Sequence, residues 1–546
     1  MARVLRTSLF GLTVGWLSGG RLFQSPEDQA DFRLPAPYEA AANAEHLRPR
    51  RNSQLEGSSD KPRGIPSCRW IEPEIQTDGT VLVGWYTDDD AENPKNWPWA
   101  AKLLVYLQVN IYTFVIYMSS SIFSPAEKEF IRVFHVPQSV SSLGLAIYVL
   151  GYGVGPMLFS PLSEVAWIGR NPPYLLSLSI FVLLSIPAAM VNSVPAFLVI
   201  RFLQGFFGSP CLATGAASIA DVTRDEYFPY GLYTWAVSAV AAPAVAPTIA
   251  GFSIPVKGWR WSMWEVLWAA AGSLAILCFL PETYSPCVLH YRARRLRRLT
   301  SKSTFQAPAN LDQRSISLWR NLIQALVIPW KINALDPAIL FSTVYISLVY
   351  GIFYSFFEVF PRVYGDIYQM NLGQVGLIFL TALVGTSLVL PFYFAFIYYW
   401  LHRPYLQGSW SSILPEIRLI PGLIGTFLVP IGLVIFAWTA RPTIHWIVPT
   451  IGFLINISGM TLVMQSIFGY IAMAYPPYSA SLFAMNDFAR STLAFAAILW
   501  SGPLYENLGV ARGTTLIAGL TGGCILGMYG FYYCGPWLRK RSRFAA

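Results

Sequence analysis

The residues of this sequence best suited to chemistry lie in a short charged turn between two long apolar runs. Charge at the end of a membrane helix is costly unless it is paired or held at the interface. Glu164 and Arg170 are therefore interpreted as an ionic latch that locks two helices and releases them, as a gate does. Ordinary interfacial charge that fixes a turn is the alternative. The turn and its approach comprise Gly155, Ser163, Glu164, Gly169, Arg170 and Asn171.

Four charged side chains within the apolar runs are candidates for proton coupling. Arg201 must find a carboxylate, a carbonyl or water there, which suits a proton relay or a substrate contact. An arginine that reaches out to the membrane interface is the alternative. Asp487 and Arg490 are three residues apart and can pair on one helix face, with Asp487 either a proton carrier or part of a structural pair. Glu358 is a further candidate carrier.

Glycines and prolines mark two helices that must pack closely. Gly205 and Gly208 remove side chains on nearly one face of the fourth run and allow close helix approach. Pro243 and Pro247 are four residues apart, and with Gly251 they predict a bent helix that seals one side of a cavity. A passive kink is the alternative.

Uncharged polar residues in the apolar runs are expected to face a central cavity rather than lipid. They are Gln108, Asn110, Asn456, Gln465 and Asn486.

Composition places all these residues in a membrane protein. The chain is 54% hydrophobic and 12% charged, against about 25% charged residues in soluble domains. The net charge of +9 lies in the loops, so it indicates membrane orientation rather than nucleic-acid binding. The sequence contains no HExxH, CxxC or GxxxxGK[ST] motif. We therefore expect no enzyme activity, no metal site and no cofactor.

Helices long enough to cross a bilayer must position these residues. Six such runs precede the polar segment 281–336 and six follow it, which predicts an all-α integral membrane fold of two related six-helix bundles. The predicted spans are 102–123, 139–160, 173–191, 196–220, 230–252, 264–280, 337–360, 374–397, 420–439, 444–469, 478–503 and 511–534.

Charge in the loops predicts the orientation of the chain. The segment 281–336 and the tail 536–546 are basic, and positive charge marks the cytosolic side, so both termini are expected there. Residues 1–20 resemble either a signal peptide or an amphipathic cytosolic segment, and the second is preferred. The predicted domains are a largely disordered cytosolic tail 1–98, bundles 99–280 and 337–535, a cytosolic loop 281–336 and a basic tail 536–546.

Several motifs together resemble the fungal drug:proton antiporter family of the major facilitator superfamily, in its twelve-span multidrug form. The segment 160–174 (SPLSEVAWIGRNPPY) is similar to the family signature between helices 2 and 3, and 201–210 (RFLQGFFGSP) is similar to its helix-4 motif. In the helix-5 motif, Ala242 and Ala246 stand where the family usually has glycine. Further similar segments are 5–11, 23–28, 90–97, 258–265, 281–283, 415–419, 478–491 and 535–542.

The resemblance implies a transporter that works by alternating access. It implies export of hydrophobic drugs, fungicides or a toxic secondary metabolite, driven by a proton gradient, with lipid, substrate and protons as partners. A monomer in the plasma membrane is expected, with a vacuolar or vesicle membrane as the alternative location. An uptake permease for a nutrient and a membrane sensor or scaffold without transport remain the alternative functions.

Overall fold

Helices make up most of the molecule in the computed structural model, which describes residues 2–29, 31–43, 70–76, 79–309, 318–407, 414–475 and 478–544. Two short strands in the described part, β1 (Val81–Leu82) and β2 (Phe305–Gln306), pair in parallel.

Twelve long helices form the main body of the described residues, and a further helix, Leu318–Leu335, lies between the sixth and the seventh. The first six are α1 (Trp99–Ser121), α2 (Gln138–Ser163), α3 (Asn171–Met190), α4 (Val194–Val222), α5 (Phe228–Lys257) and α6 (Trp259–Leu277). The next four are α7 (Pro337–Phe360), α8 (Leu372–Leu406), α9 (Ile420–Thr439) and α10 (Ile447–Ala474). The helical segment Ser479–Arg541 divides at Gly509 into α11 (479–508) and α12 (510–541).

These helices confirm the predicted twelve spans. Ten segments of the described chain are long and apolar enough to cross a membrane, and the last of them contains both α11 and α12. The remaining helix, α6, has 19 residues and carries Arg260 and Glu265 near its start. The sequence therefore predicted the number and order of the helices. Both ends of α7 and α9 match the prediction, whereas α5, α8 and α12 extend five to nine residues beyond their predicted last residues.

Local sequence explains where several helices begin and end. The Asp336 carboxylate accepts the N–H of Ala338 at 3.0 Å and caps α7. Gly258 and Gly509 have φ values of 83° and 74°, which L side chains rarely adopt, and each separates two helices.

The two halves, α1–α6 and α7–α12, meet along two pairs of helices. One pair is α2 with α11, where Gly153 faces Ser491, and the other is α5 with α8. We call the side that carries residues 2–29, 278–309 and 318–336 and the end of α12 the terminal side. The opposite side, which carries residues 122–137 and 361–371, is the far side.

On the terminal side, the beginning of the chain packs against a helix of the central segment. Arg292 lies on this loop helix, Ser285–Thr300, and its guanidinium contacts Asp90 at 2.7 Å, Glu92 at 2.9 Å and Glu27 at 3.4 Å. The strand pair β1–β2 adds backbone hydrogen bonds. Where residues 2–43 and 79–98 are described, they therefore fold against the loop helix, whereas the sequence predicted a largely disordered tail.

Charge pairing is one physical reason for this difference. Burial alone would raise the pKa of Asp90 and of Glu92. The hydrogen bonds and charge of Arg292 outweigh it and lower the pKa of Asp90. The charges of Arg292, Arg295 and Arg6 do the same for the pKa of Glu92. Burial likewise opposes the charge on Arg292, and the two carboxylates outweigh that and raise its pKa.

A small apolar core also joins these segments, because Tyr38, Val81 and Val83 pack with Leu296 and Phe305. Ion pairs and apolar burial together therefore order this part of the chain.

Candidate functional site

A cavity lies at the centre of the molecule, between the two halves. Its volume is about 70 Å³, which is well below the roughly 300–1,000 Å³ of typical ligand pockets. Its polar lining comes from Thr386, Thr461, Gln465 and Arg490. The remaining lining is apolar and rich in large rings, namely Tyr117, Tyr233, Trp235, Tyr350, Phe353 and Phe468.

Arg490 is the charged residue on the wall of this cavity, and it joins the two halves. On α11 its Nε donates to the Asp487 carboxylate at 2.8 Å, as the i, i+3 spacing predicted. Its Nη2 donates to the hydroxyl of Tyr117 on α1 at 2.8 Å, and its guanidinium lies 4.7 Å from the ring centroid of Tyr350. The second carboxylate oxygen of Asp487 is buried without a hydrogen-bond partner.

A chain of tyrosine hydroxyls crosses the interface next to Arg490. The hydroxyl of Tyr152 on α2 lies 2.7 Å from that of Tyr350 and 2.9 Å from that of Tyr354, both on α7. The Tyr354 hydroxyl in turn lies 3.2 Å from Ser120 Oγ on α1. These hydroxyls form a continuous polar path through an otherwise apolar interface.

A larger cavity of about 480 Å³ lies on the far side, and we call it the vestibule. Glu358 of α7 and Glu127, which follows α1, both line it. Ser142 Oγ of α2 lies 2.8 Å from Glu358 and 3.3 Å from Glu127, and the Gln138 amide donates to Glu358 at 3.1 Å. In the described part of the chain, no lysine or arginine nitrogen lies within 4.0 Å of either carboxylate. Glu358 is therefore held by neutral donors across the interface.

Ion pairs stand at the rim of the vestibule. Lys128 Nζ lies 3.7 Å from Asp366, which joins the two halves, and Arg362 Nη2 lies 2.8 Å from Glu506. Exposed pairs of this kind contribute little binding energy, so they leave the rim free to open.

The prolines of α5 lie between the two cavities. Pro243 lines the central cavity and Pro247 lines the vestibule. One turn farther on, a Cβ on Gly251 would lie 2.5 Å from the carbonyl oxygen of Leu372 on α8. Thr248 Oγ1 also donates to the Gly376 carbonyl at 2.9 Å. This end of α5 is therefore in backbone contact with α8, and Ala242 and Ala246 are fully buried beside it.

In the charged turn on the terminal side, Arg170 lies closer to a carboxylate of α4 than to Glu164 of the same turn. Arg170 Nε donates to Asp221 at the end of α4 at 3.1 Å, whereas Arg170 and Glu164 are 4.0 Å apart. Arg170 Nη1 also donates to Ser163 Oγ at 3.0 Å, and its guanidinium lies 5.0 Å from the Tyr284 ring centroid. Ser163, Glu164 and Asp221 belong to the first half and Tyr284 to the segment that follows it, so these contacts of Arg170 do not cross the interface between the halves.

Glu282 completes this network at the start of α3. Its carboxylate accepts the backbone N–H groups of Arg170 at 3.0 Å and Asn171 at 3.1 Å, where the helix dipole favours negative charge. Gly169 has a φ of 76°, and a Cβ there would lie 2.5 Å from Glu282 Oε2. The glycine of the motif is therefore required by both conformation and space.

Arg201 is buried in the protein instead of extending to the interface. Its side chain is 0% exposed, and it donates to the carbonyls of Gly144 at 3.1 Å and Ser119 at 2.8 Å. Its guanidinium also lies 4.3 Å from the Tyr148 ring centroid. The alternative of an interfacial arginine is therefore wrong, and Arg201 instead ties α4 to α1 and α2.

The small residues of the motifs lie where helices approach closely. Gly205 contacts the backbone of α2 at Tyr148, and a Cβ on Gly208 would lie 2.9 Å from Ile116 of α1. Gly155 lies against Ser209 of α4.

Most of the polar residues expected at the central cavity lie elsewhere. Gln465 lines the cavity. Gln108 instead donates to the Ile276 carbonyl at 2.8 Å, and Asn456 to the Val429 carbonyl at 3.0 Å. A neighbouring carbonyl satisfies a buried amide as well as a cavity does, so residue type alone misplaced them.

Asn110 and Asn486 also lie outside the cavity lining, and they differ in their hydrogen bonds. Asn110 accepts a hydrogen bond from Ser238 of α5 at 2.9 Å, outside the cavity lining. Asn486 is buried and both its side-chain polar atoms lack a partner. It adjoins Asp487 in the sequence without lining either cavity.

Sequence reasoning missed Asp221, Glu282, Glu127 and Tyr117. Asp221 is a charge at the end of an apolar run, and this signal was present in the sequence. Glu282 lies in the segment 281–283 that the family resemblance includes, although no role was assigned to it. Glu127 and Tyr117 carry no local signal. Among the described residues, no three His, Cys, Asp or Glu side chains are grouped so that they could hold a metal ion.

Comparison with known proteins gives the following matches. The family model described as Major Facilitator Superfamily matches residues 109–498. The chain is 59% identical over 546 residues to the MFS-type transporter pyvG of Aspergillus violaceofuscus, and the match covers all of both chains. It is 39% identical over 470 residues to the Multidrug transporter FLR2 of Candida glabrata, covering 85% of this chain and 79% of that one.

A solved structure has the same fold. The partially occluded inward-open form of the xylose transporter XylE from E. coli has a TM-score of 0.58 and 14% sequence identity, over 79% of this chain and 98% of that chain.

Proposed function

The chain belongs to the major facilitator superfamily of membrane transporters, and we propose that it is a proton-coupled exporter of flat hydrophobic molecules. The observation that carries this proposal is the central cavity, which both halves line with mostly apolar side chains, six of them aromatic, and whose wall includes Arg490, the partner of the buried Asp487. Aromatic walls favour planar apolar ligands, and a few fixed polar groups orient them. Drugs, fungicides and an endogenous toxic metabolite fit this description.

The proposed orientation places the terminal side in the cytosol. Arg294, Arg297 and Arg298 on the loop helix and Arg539–Arg541 at the end of α12 all lie on that side, and cytosolic loops carry such an excess. The vestibule then faces outward. The plasma membrane is the expected location, because export from the cell requires it.

Glu358 is the proposed site where the driving proton binds. It lines the vestibule, and its hydrogen bonds come from the neutral side chains of Ser142 and Gln138. Asp487 is less suited, because it is already paired with Arg490, whereas no lysine or arginine nitrogen lies within 4.0 Å of Glu358 in the described chain. Ser142 has a single hydroxyl hydrogen and two carboxylate neighbours. Ser142 can therefore donate to only one of the two carboxylates. A proton on Glu127 or Glu358 would let that residue donate to Ser142 Oγ and complete the second hydrogen bond.

Arg201 then acts as a positioning residue. Arginine keeps its proton in proteins, so it is a poor carrier. Its hydrogen bond to the Gly144 carbonyl fixes the position of α2. Gly144 is two residues from Ser142, which contacts the carboxylates of both Glu127 and Glu358.

The proposed cycle uses both ends of the interface. The network of Arg170, Asp221 and Glu282 holds the terminal ends of α2, α3 and α4 as one unit, and α2 presses this unit against α11. At the far end, α5 and α8 separate to release substrate. The 70 Å³ cavity must expand for a drug-sized molecule to enter, as alternating access requires.

Energy from the membrane is sufficient for this task. One charge that moves down the membrane potential yields about 2.3 kcal/mol per 100 mV. That free energy can concentrate a substrate by tens-fold before a pH gradient adds to it.

Inside-out plasma-membrane vesicles test the proposal. We expect vesicles that contain the protein to accumulate rhodamine 6G or benomyl when their interior is acidic, and to lose the accumulated compound when a protonophore is added. An uptake permease would move its substrate out of such vesicles. A sensor or scaffold would move none, and either result would overturn the proposal.

A further inference from the structure

A short helix near the beginning of the chain exposes an apolar face. We call it the anchor helix, Leu9–Leu17. Leu12, Trp16 and Leu17 are 60%, 82% and 75% exposed, and all three lie on one side of the helix. The opposite side packs inward through Gly11. In water this exposed surface would be unfavourable.

The anchor helix is attached at the edge of the membrane-spanning bundle. The backbone N–H of Phe10 donates to the carbonyl of Cys278 at 3.0 Å, and the Phe10 ring lies 4.8 Å from that of Phe279. Cys278 directly follows α6, whose last turns expose Ile276 to the surroundings of the bundle. The end of a spanning helix lies at the bilayer boundary. The apolar face of the anchor helix is therefore continuous with the lipid-facing surface of α6.

The residue types match a membrane interface. Tryptophan is enriched where hydrocarbon meets water, and Trp16 is the most exposed large apolar residue of the anchor helix. Arg3 and Arg21 flank the helix and are exposed, so they can contact anionic lipid headgroups. Nine helical residues extend about 14 Å, which suits a helix lying in the interface and is too short to cross a bilayer.

We propose that the anchor helix lies in the terminal-side membrane interface, with Leu12, Trp16 and Leu17 inserted among the lipids of that leaflet. The partner is the bilayer itself. The beginning of the chain then anchors the protein to the membrane in addition to packing against the loop helix.

The anchor helix is also connected to the charged turn. Thr7 precedes it by two residues, and Thr7 Oγ1 accepts the backbone N–H of Glu282 at 2.9 Å. The Glu282 carboxylate accepts the N–H groups of Arg170 and Asn171. Insertion of the anchor helix therefore fixes the position of this turn relative to the bilayer.

Site-specific fluorescence in nanodiscs that each hold one copy of the protein tests the proposal. The full chain, with its native cysteines replaced by alanine, carries a bimane label at Leu12→Cys, Trp16→Cys or Leu299→Cys. Leu299, on the loop helix, is the matched control because it is an apolar residue that is 51% exposed and lies away from α6. If the Leu12→Cys protein does not fold, Trp16→Cys supplies a second label position on the same face of the anchor helix.

Nitroxide-labelled lipid should quench the label at residues 12 and 16 at least twofold more than the label at residue 299. Iodide in water should show the reverse order. Equal lipid quenching at all three positions, or strong iodide quenching at residues 12 and 16, would overturn the proposal. Because each nanodisc holds one copy of the protein, a second protein molecule cannot be what covers the apolar face of the anchor helix.

Discussion

Arg490 donates a hydrogen bond to the Tyr117 hydroxyl at 2.8 Å, and this contact joins α11 to α1 across the wall of the central cavity. It therefore links the cavity that would hold substrate to the relative position of the two halves. A hydrogen bond between a charged and a neutral group contributes about 1.5–3 kcal/mol.

Tyr117→Phe removes that hydroxyl while it keeps the ring. We expect a transport rate about 10- to 100-fold lower, because Arg490 loses its partner in the other half. The rate is measured in vesicles at matched protein amounts. Tyr533→Phe, at an exposed position on α12, serves as the control and should transport normally. Equal rates for both variants and the unmodified protein would contradict this role.

Asp221→Asn should weaken the terminal-side network. The substitution leaves the buried guanidinium of Arg170 without the charged partner that lies 3.1 Å away. Breaking such a buried pair commonly costs about 3–5 kcal/mol of stability, and we expect a cost of about 3 kcal/mol here. We expect at least a tenfold loss of transport. Asp225→Asn is the control, because Asp225 is 76% exposed and pairs only with Lys95 in the described chain. A similar loss in both variants would indicate a general effect of charge on the terminal side.

Gly251→Val should force α5 away from α8 at the far side. The new Cβ would lie 2.5 Å from the Leu372 carbonyl oxygen, and overpacking of this kind costs about 1–3 kcal/mol. We expect a lower melting temperature and slower transport. Gly272→Ala on α6 has open space around its Cβ and should leave both properties unchanged. Gly251 would have no sealing role if its variant behaved like the control.

Arg292→Gln should release the beginning of the chain from the loop helix. Three buried carboxylates, Glu27, Asp90 and Glu92, would lose their shared cation. We expect faster proteolysis within residues 2–29, 31–43 and 79–98 of the purified protein, with Arg298→Gln, at an exposed position on the same helix, as the control. Unchanged proteolysis would contradict the account of the ordered tail.

Acid should have the same effect on the unmodified protein. The pKa values of Asp90 and Glu92 are lowered from 3.8 and 4.5 in the folded chain, so their stabilising effect is complete above those values. It is lost as the pH falls through the lowered values. Protection of residues 2–29, 31–43 and 79–98 should therefore stay constant from pH 7 to about 5 and be lost only as the pH falls below the ordinary values of 4.5 and 3.8.

The sequence predicted the fold well because its signals are local. Apolar runs about 20 residues long specify spanning helices, and the i, i+3 spacing of Asp487 and Arg490 correctly paired them. The motif around Glu164 and Arg170, with that around Arg201, identified the family, which the match over residues 109–498 confirms.

The partners of these residues could not be predicted in the same way. Asp221 and Glu282 lie 51 and 112 residues from Arg170 in the sequence, and only the packing of α3, α4 and α6 brings them together. Glu127 and Glu358 likewise meet at Ser142 across the two halves. A single sequence carries no periodic signal for such distant contacts, so buried amides such as Gln108 were assigned to the wrong surface.

Proton movement by the purified protein in liposomes tests the central claim most directly. With a pH-sensitive dye inside, addition of rhodamine 6G or benomyl should start proton flux in the direction opposite to the compound. Glu358→Gln should abolish this flux and the effect of pH on transport. Glu506→Gln, at the exposed rim of the same vestibule, should keep both. Transport without proton movement, or an unchanged flux in Glu358→Gln, would contradict proton-coupled export through Glu358.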